Sequence, residues 1–411
     1  MKTTGETGRV AYKFRLFGWH ITISNAPVKF KPGVAPSRTA NYDRIMHKRR
    51  VIAECRCERC GRELTQFARL YHTLPEGHPD LPNGKSDMKE QKMTLQMLRE
   101  RQGWTLEQKI DHALGTIESF VNHMGGVDKV YVSFSGGKDS TVLFHLARRL
   151  YPDILGVFCN TGNEYPDIIR FVQSQIRGGY NVQIIRPKHS PRQIWERYGF
   201  PLVSKQVSER LRAVRRNPET TTAKKYMADG FFSISKRWRY LLNEPYNVSA
   251  QCCIKLKKEP FHQFERETGR SPILGIMAEE SLQRERSYIA DGGCNVFHEQ
   301  GKSKSHPLAI WCERDVWDYI IRYNVQIADI YHKGLDRTGC FGCGFGCYKK
   351  DDRRFAILRE NYPKCYDMVM NYTNNGVTFR EALRKVLSVN GLYLPDEQPP
   401  TLFDFEEDNE Q

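Results

Sequence analysis

Residues 129–147 leave few architectures open. Lys129-Val-Tyr-Val-Ser-Phe134 is β-branched and aromatic and reads as a buried strand. Thr141-Val-Leu-Phe-His-Leu-Ala147 carries a helical pattern. Between them lies Ser135-Gly-Gly-Lys-Asp-Ser140. A buried strand that passes through a glycine-rich turn into a helix is the first half of a βαβ unit, and such units build parallel sheets. The turn has its own chemistry. Gly136 and Gly137 let the backbone curl so that successive N–H groups face one point, and the helix N-terminus behind them adds positive potential. Lys138 contributes a full charge, and Ser135 and Ser140 contribute hydroxyls. That combination is a phosphate site. It is not a Walker A loop, because Asp139 separates Lys138 from Ser140 and the upstream glycine is missing.

The alternation continues downstream. Ile154-Leu-Gly-Val-Phe158 predicts a second strand, 167–176 a helix, Val182-Gln-Ile-Ile185 a third strand and Pro272-Ile-Leu-Gly-Ile276 another. Upstream, Thr105 predicts an N-cap, with Leu106, Ile110, Ala113, Leu114, Ile117 and Phe120 on one helical face and Glu107 in the first turn. The expected organisation is a basic extension over 1–104, an α/β core over 105–350, and a helical segment over 351–411 ending in an acidic tail from Asp404 to Glu410.

At 411 residues and 39% hydrophobic, the chain can bury a substantial core, which excludes general disorder. It has no uninterrupted apolar run of about 18 residues, and Met1 to Trp19 lacks a signal-like apolar stretch, so a soluble, cytoplasmic protein without membrane contact is expected. The net charge of +15 is localised. Residues 1–50 carry a net +9, 201–258 carry another +9, and the remainder is slightly negative. Two basic patches on a near-neutral body suit either ordinary solvated faces or a polyanion partner, with DNA or RNA the obvious candidate.

The 12 cysteines are clustered, which in a reducing compartment suggests metal or redox chemistry. Cys252-Cys253 and Cys340-Phe-Gly-Cys343 supply four sulfurs, enough for a [4Fe–4S] cluster or a tetrahedral zinc. Consecutive side chains diverge, which makes the vicinal pair awkward for a single zinc ion and favours the cluster. Cys57-Glu-Arg-Cys60 with His72 and His78 has spacing compatible with a small structural Zn²⁺ site, although Cys55 could replace one ligand. Cys347 is a spare beside the second pair, and Cys159, Cys294, Cys312 and Cys365 read as packed thiols.

Several of these strings together resemble a known family. Ser135-Gly-Gly-Lys-Asp-Ser140 resembles the pyrophosphate loop of the adenine nucleotide α-hydrolases, or N-type ATP pyrophosphatases. Val157-Phe-Cys-Asn-Thr-Gly-Asn-Glu-Tyr-Pro-Asp167 resembles the second-strand motif of phosphoadenosine phosphosulfate (PAPS) reductases, with Asn160 and Asp167 replacing the usual Asp and Glu. Gly199-Phe-Pro-Leu-Val-Ser-Lys205 and Gly275-Ile-Met-Ala-Glu-Glu-Ser281 with Arg284 look like further family elements. The two cysteine pairs resemble the ligand set of the iron–sulfur adenosine phosphosulfate (APS) reductases. The resemblance implies a Rossmann-like parallel-sheet core that binds ATP, APS or PAPS with Mg²⁺. The implied nucleotide-binding residues are Ser133, Ser135, Gly136, Gly137, Lys138, Asp139, Ser140, Asn160, Thr161, Gly162, Glu280 and Ser281, with Lys138, Asp139 and Arg284 catalytic. Reductases of this type also carry a nucleophilic cysteine in a Glu-Cys-Gly-Leu/Ile-His string. The last cysteine here is Cys365, in Pro-Lys-Cys-Tyr. Two reactions therefore remain open: ATP-dependent sulfur transfer to a nucleic acid, fed by a sulfur or electron donor protein, and reduction of APS or PAPS to sulfite. A nucleotide-sensing DNA-binding protein is a third reading, disfavoured by the intact loop.

Overall fold

A computed structural model describes residues 93–230, 232–298 and 302–397, together with the backbone of five short strands between residues 2 and 64. The chain divides into two units, 1–92 and 93–411. In the first, Lys2–Thr4, Val10–Leu16, Trp19–Ser24, Cys55–Cys57 and Glu63–Leu64 pair in chain order as an antiparallel sheet. Cys57 is described only as backbone of one of these strands. Cys60, His72, His78 and the acidic tail lie outside the described residues.

The second unit is built on a six-stranded sheet. Its strands are β1 (Val130–Ser133), β2 (Gly156–Cys159), β3 (Val182–Ile185), β4 (Ser271–Ile273), β5 (Asn295–Val296) and β6 (Lys304–Ser305). Their spatial order is β5-β6-β4-β1-β2-β3, and every pairing is parallel except β5 with β6. This is the Rossmann-like α/β sheet that the strand–helix alternation predicts. The chain moves outward from β1 to β2 to β3, then returns to lay β4 on the other side of β1. The strand order therefore reverses between β1 and β4, and the crevice beyond their C-terminal ends is where such sheets take ligands.

The helices follow from local chemistry. Helix α1 (Leu106–Met124) starts in a capping box, in which the Thr105 hydroxyl accepts from Gln108 N and the Gln108 side chain accepts from Thr105 N. It ends at Gly125, whose φ of 90° is the left-handed cap that glycine favours. Next come α2 (Lys138–Leu150), α3 (Pro166–Arg177), α4 (Pro191–Tyr198), α5 (Lys205–Arg216), α6 (Glu259–Thr268), α7 (Leu282–Ala290) and α8 (Glu313–Arg322). Beyond the sheet lie α9 (Arg354–Asn361), α10 (Pro363–Met370) and α11 (Phe379–Ser388). Their apolar faces, including Phe355, Val369, Phe379 and Leu383, join the same core as Val130, Val132 and Phe144. Among the described residues no helix is long and apolar enough to cross a membrane.

Candidate functional site: a phosphate loop beside four thiols

Strand β1 delivers residues 134–137 to the crevice between β1 and β4, and α2 begins at Lys138. The two serine hydroxyls serve the loop itself. Ser135 Oγ and Ser140 Oγ are 2.9 Å apart, Ser135 N donates to Ser140 Oγ at 3.1 Å, and Gly137 N donates to Ser135 Oγ at 3.3 Å. These bonds fix the curl that aims the remaining N–H groups outward. Both glycines are required. Gly136 has φ of 73°, and a Cβ there would stand 2.9 Å from Ile168 on α3. At Gly137 a Cβ would meet Thr338 Oγ1 at 2.4 Å. Gly275, just after β4, approaches the backbone of Asp139 and Ser140 closely enough that an added Cβ would lie at 3.3 Å. The loops after β1 and β4 thus form opposite lips of one crevice, as the strand reversal requires. Ser133 remains within β1.

Charges concentrate at this point. Lys138 is buried, at 1% exposure, with Nζ 3.0 Å from Glu313 at the start of α8, 3.0 Å from the Asp336 carbonyl and 3.7 Å from Asp139. Arg284 pairs with Glu280, whose carboxylate also accepts from Met277 N, while the Ser281 hydroxyl caps α7 by accepting from Arg284 N. Arg337 lies 3.9 Å from Glu313. Burial pushes the Asp139 carboxyl up, against the opposing fields of Lys138, Arg337 and Arg284. Its Oδ1 is buried without a hydrogen-bond partner and faces Lys138 Nζ at 3.7 Å.

The loop after β2 forms the side wall. Thr161 donates through both N and Oγ1 to Glu164, and Gly162 N donates to Asn160 Oδ1 at 3.1 Å with φ of 79° at Gly162. This loop is stitched to the cysteine loop: Phe341 N donates to the Asn163 carbonyl at 2.9 Å, and Glu164 bridges Cys340. A cavity of about 420 Å³ opens beside it, lined by Asn160, Gly162, Arg170, Phe341 and Cys365 among others.

The thiols meet through an irregular helix. Residues 253–258 form a π-helical turn that runs directly into α6. Pro260 explains it. Proline has no N–H for the carbonyl four residues back and collides with it, so the preceding turn widens. That carbonyl belongs to Leu256, and it accepts instead from the Cys159 thiol at 3.3 Å. A hydrogen bond from Cys252, together with the charges of Lys205, Lys257 and Lys258, holds the Cys253 thiol well below its usual range. The same hydrogen bond, with burial, pushes Cys252 up. Burial raises Cys340, against the pull of Lys257, which is hydrogen-bonded to it, and pushes Cys343 up to about 12. Arg354 braces the loop from behind, donating to the carbonyls of Cys343 and Phe345 while paired with Asp352. Cys347 is buried and donates to the Gly344 carbonyl.

A family model for the phosphoadenosine phosphosulfate reductase domain matches residues 129–229 and 204–344, which together span just over half of the chain and contain all of these loops. The chain belongs to this family. It is accordingly an enzyme of the adenine nucleotide α-hydrolase type. Among curated relatives, a phosphoadenosine 5'-phosphosulfate reductase of Alkalilimnicola ehrlichii is 23% identical over 54% of this chain and 74% of its own length. An adenosine 5'-phosphosulfate reductase of Neisseria meningitidis is 26% identical over 28% of this chain and 45% of its own length. A crystal structure of phosphoadenylyl-sulfate reductase from Candida auris is similar with a TM-score of 0.36 and 12% identity, covering 60% of this chain and 96% of that one.

Within this family domain the structure gathers Lys138, Asp139, Glu280, Ser281 and Arg284 around one loop. It sets Asn160, Thr161 and Gly162 on the neighbouring wall and brings Cys252, Cys253, Cys340 and Cys343 into mutual electrostatic reach. Four participants have no motif to betray them. Glu313, Tyr331, Arg337 and Thr338 all reach the phosphate loop from far along the chain. The one available signal is Arg337-Thr-Gly immediately before Cys340, an arginine and a flexible hinge beside a predicted ligand.

Proposed function

We propose that this protein binds ATP on the Ser135–Ser140 loop and uses cleavage at the α-phosphate to activate an acceptor oxygen for replacement by sulfur, with a nucleic acid as the acceptor. The observation that carries this reading is the shared rim: the phosphate loop and the four thiols are joined through the Asn160–Glu164 loop and the 329–343 segment. The acceptor oxygen attacks the α-phosphorus, its adenylyl ester forms, and pyrophosphate leaves. A sulfur nucleophile from a donor protein then adds at the activated carbon or phosphorus and expels AMP. Lys138 and the loop amides offset the charge that grows on the phosphate oxygens. Asp139 holds Mg²⁺ against them, and Arg284 exchanges Glu280 for a phosphate.

The donor set fits a [4Fe–4S] cluster on Cys252, Cys253, Cys340 and Cys343. The four thiols are half-buried and within electrostatic reach of one another, with Lys257 hydrogen-bonded to Cys340 to balance charge, and among the described residues no three His, Cys, Asp or Glu side chains converge on a single-ion site. With each of its irons held by one of the four cysteines, such a cluster would supply a local charge and a redox centre beside the nucleotide rather than an open metal site. The basic stretch leading into the pair supports the polyanionic acceptor, since Lys205, Lys257 and Lys258 all act on Cys253.

The names of the curated relatives favour a second reading, reduction of APS or PAPS to sulfite. Anaerobically purified protein separates the two. Release of AMP and pyrophosphate stimulated by DNA or RNA supports sulfur transfer, while sulfite from APS or PAPS with thioredoxin, independent of nucleic acid, supports reduction. Iron and sulfide analysis tests the cluster, and stoichiometric zinc without iron after reconstitution would exclude it.

A further inference from the structure

Oxygens from elsewhere in the chain meet the phosphate loop where a polyanion would. The Tyr331 hydroxyl accepts from the backbone N–H of Lys138 at 2.6 Å. The Glu313 carboxylate and the Asp336 carbonyl each lie 3.0 Å from Lys138 Nζ. Thr338 closes over Gly137, with its hydroxyl 3.3 Å from that of Tyr331. The loop is thus offered a carboxylate at its lysine and a neutral acceptor at its helix N-terminus, the same complement that phosphate oxygens provide. Lys138, Arg284 and Arg337 stand against Asp139, Glu280 and Glu313, so the site is neutral as it stands. A pyrophosphate group with its Mg²⁺ competes with the Glu313 carboxylate for the Lys138 ammonium.

Apart from Glu313, these oxygens sit on 331–338, which is anchored at one end and leads to the cysteines at the other. Lys333 donates to Asp167 and to the Tyr362 hydroxyl, at 2.7 and 2.8 Å. Two residues beyond Thr338 comes Cys340. Tyr331 packs edge-on against Trp317, so withdrawing its hydroxyl from the loop moves the whole ring and, with it, the segment that carries it.

Building on the phosphate-loop reading above, we propose that 331–338 with Glu313 is an internal phosphate mimic, a strap that occupies the loop until a nucleotide's polyphosphate displaces it. Displacement frees Lys138 and Arg337 for the ligand and moves the segment that carries Cys340. The nucleotide site and the cysteine site are then coupled, so that the thiol loop changes state when ATP or a sulfonucleotide is bound.

Calorimetric titration of Mg²⁺-pyrophosphate into the full chain tests this, using wild type, Tyr331→Phe, Glu313→Gln and Lys138→Ala. Tyr331→Phe keeps the ring and removes only the acceptor, and Glu313→Gln keeps the shape and removes the charge. Each should tighten binding about three- to tenfold by weakening the competitor. Unchanged or weaker binding in both, while wild type binds and Lys138→Ala does not, overturns the strap and leaves the phosphate-loop reading intact. No binding in any of the four overturns both. Hydrogen–deuterium exchange supplies the second readout. Amides of 331–340 should exchange faster in Tyr331→Phe than in wild type, and faster in wild type once pyrophosphate is added. Exchange in that segment unaffected by either change would contradict displacement.

Discussion

The Lys138 side chain is buried, and Glu313, the Asp336 carbonyl and Asp139 give its ammonium the partners that burial demands. Lys138→Ala should lower ATP turnover by about 10²–10³-fold, the usual loss when one donor to a developing oxyanion is removed; a steady-state assay of pyrophosphate release checks it. Asp167 has the opposite character. The family resemblance places it in a ligand-binding motif, yet its buried carboxylate is consumed by Arg170, Lys333 and Tyr362. Burial alone would raise its pKa, but the hydrogen bonds from Lys333 and Tyr362 outweigh that and hold it below the usual range. A carboxyl with a depressed folded-state pKa adds stability above the unfolded value of about 4 and loses it as pH falls through the folded value. Asp167→Asn should therefore cost about 2 kcal/mol at neutral pH and flatten the decline below about pH 4, read by denaturant unfolding across pH. Lys138 was legible because its motif is contiguous. Glu313 and Tyr331 were not, because ordinary residues in unremarkable surroundings acquire a role only when the chain folds back onto the loop, while Arg337 was visible only as a neighbour of Cys340 and not as a partner of the loop.

Among the elements, the strands and long helices follow from patterns that burial itself imposes. β1, β2 and β3 lie within a residue or two of the expected runs, and α3 extends the predicted 167–176 helix by one residue at each end. Thr105 caps α1 as its sequence predicts. The π-helical turn is a different case. Cys252-Cys253-Ile-Lys-Leu-Lys-Lys reads as ordinary helix, and Pro260 reads as a helix start. Only the continuity of the helix through Pro260, with the Leu256 carbonyl diverted to Cys159, reveals why the turn widens. Pro260→Ala restores the missing N–H and removes the collision. The variant should match or exceed wild type in melting temperature, because interior proline costs a helix about 3 kcal/mol. A regular α-helical turn over 253–258 should shift Cys253 relative to Cys340 and Cys343, and iron bound per chain after anaerobic reconstitution should fall. Lower melting with full iron content would contradict this account of the turn.

For the whole molecule, the +15 charge divides between an N-terminal region with a small antiparallel sheet and the 201–258 stretch, which runs through the vicinal cysteines to Lys258. The second of these gives charge a functional address, since its lysines act directly on Cys253. The family domain organises the rest: strand reversal makes the crevice, the β1 loop fills one lip, and the cysteines close the far side. The central claim is that this crevice breaks ATP at the α-phosphate. ATP labelled separately at the α and γ positions, incubated with anaerobically reconstituted protein, Mg²⁺, sulfide as sulfur donor and nucleic acid, tests it most directly. The label should appear in equal amounts of AMP and pyrophosphate and should disappear with Lys138→Ala. ADP and orthophosphate as products, or intact ATP alongside sulfite formed from APS or PAPS, would contradict the claim.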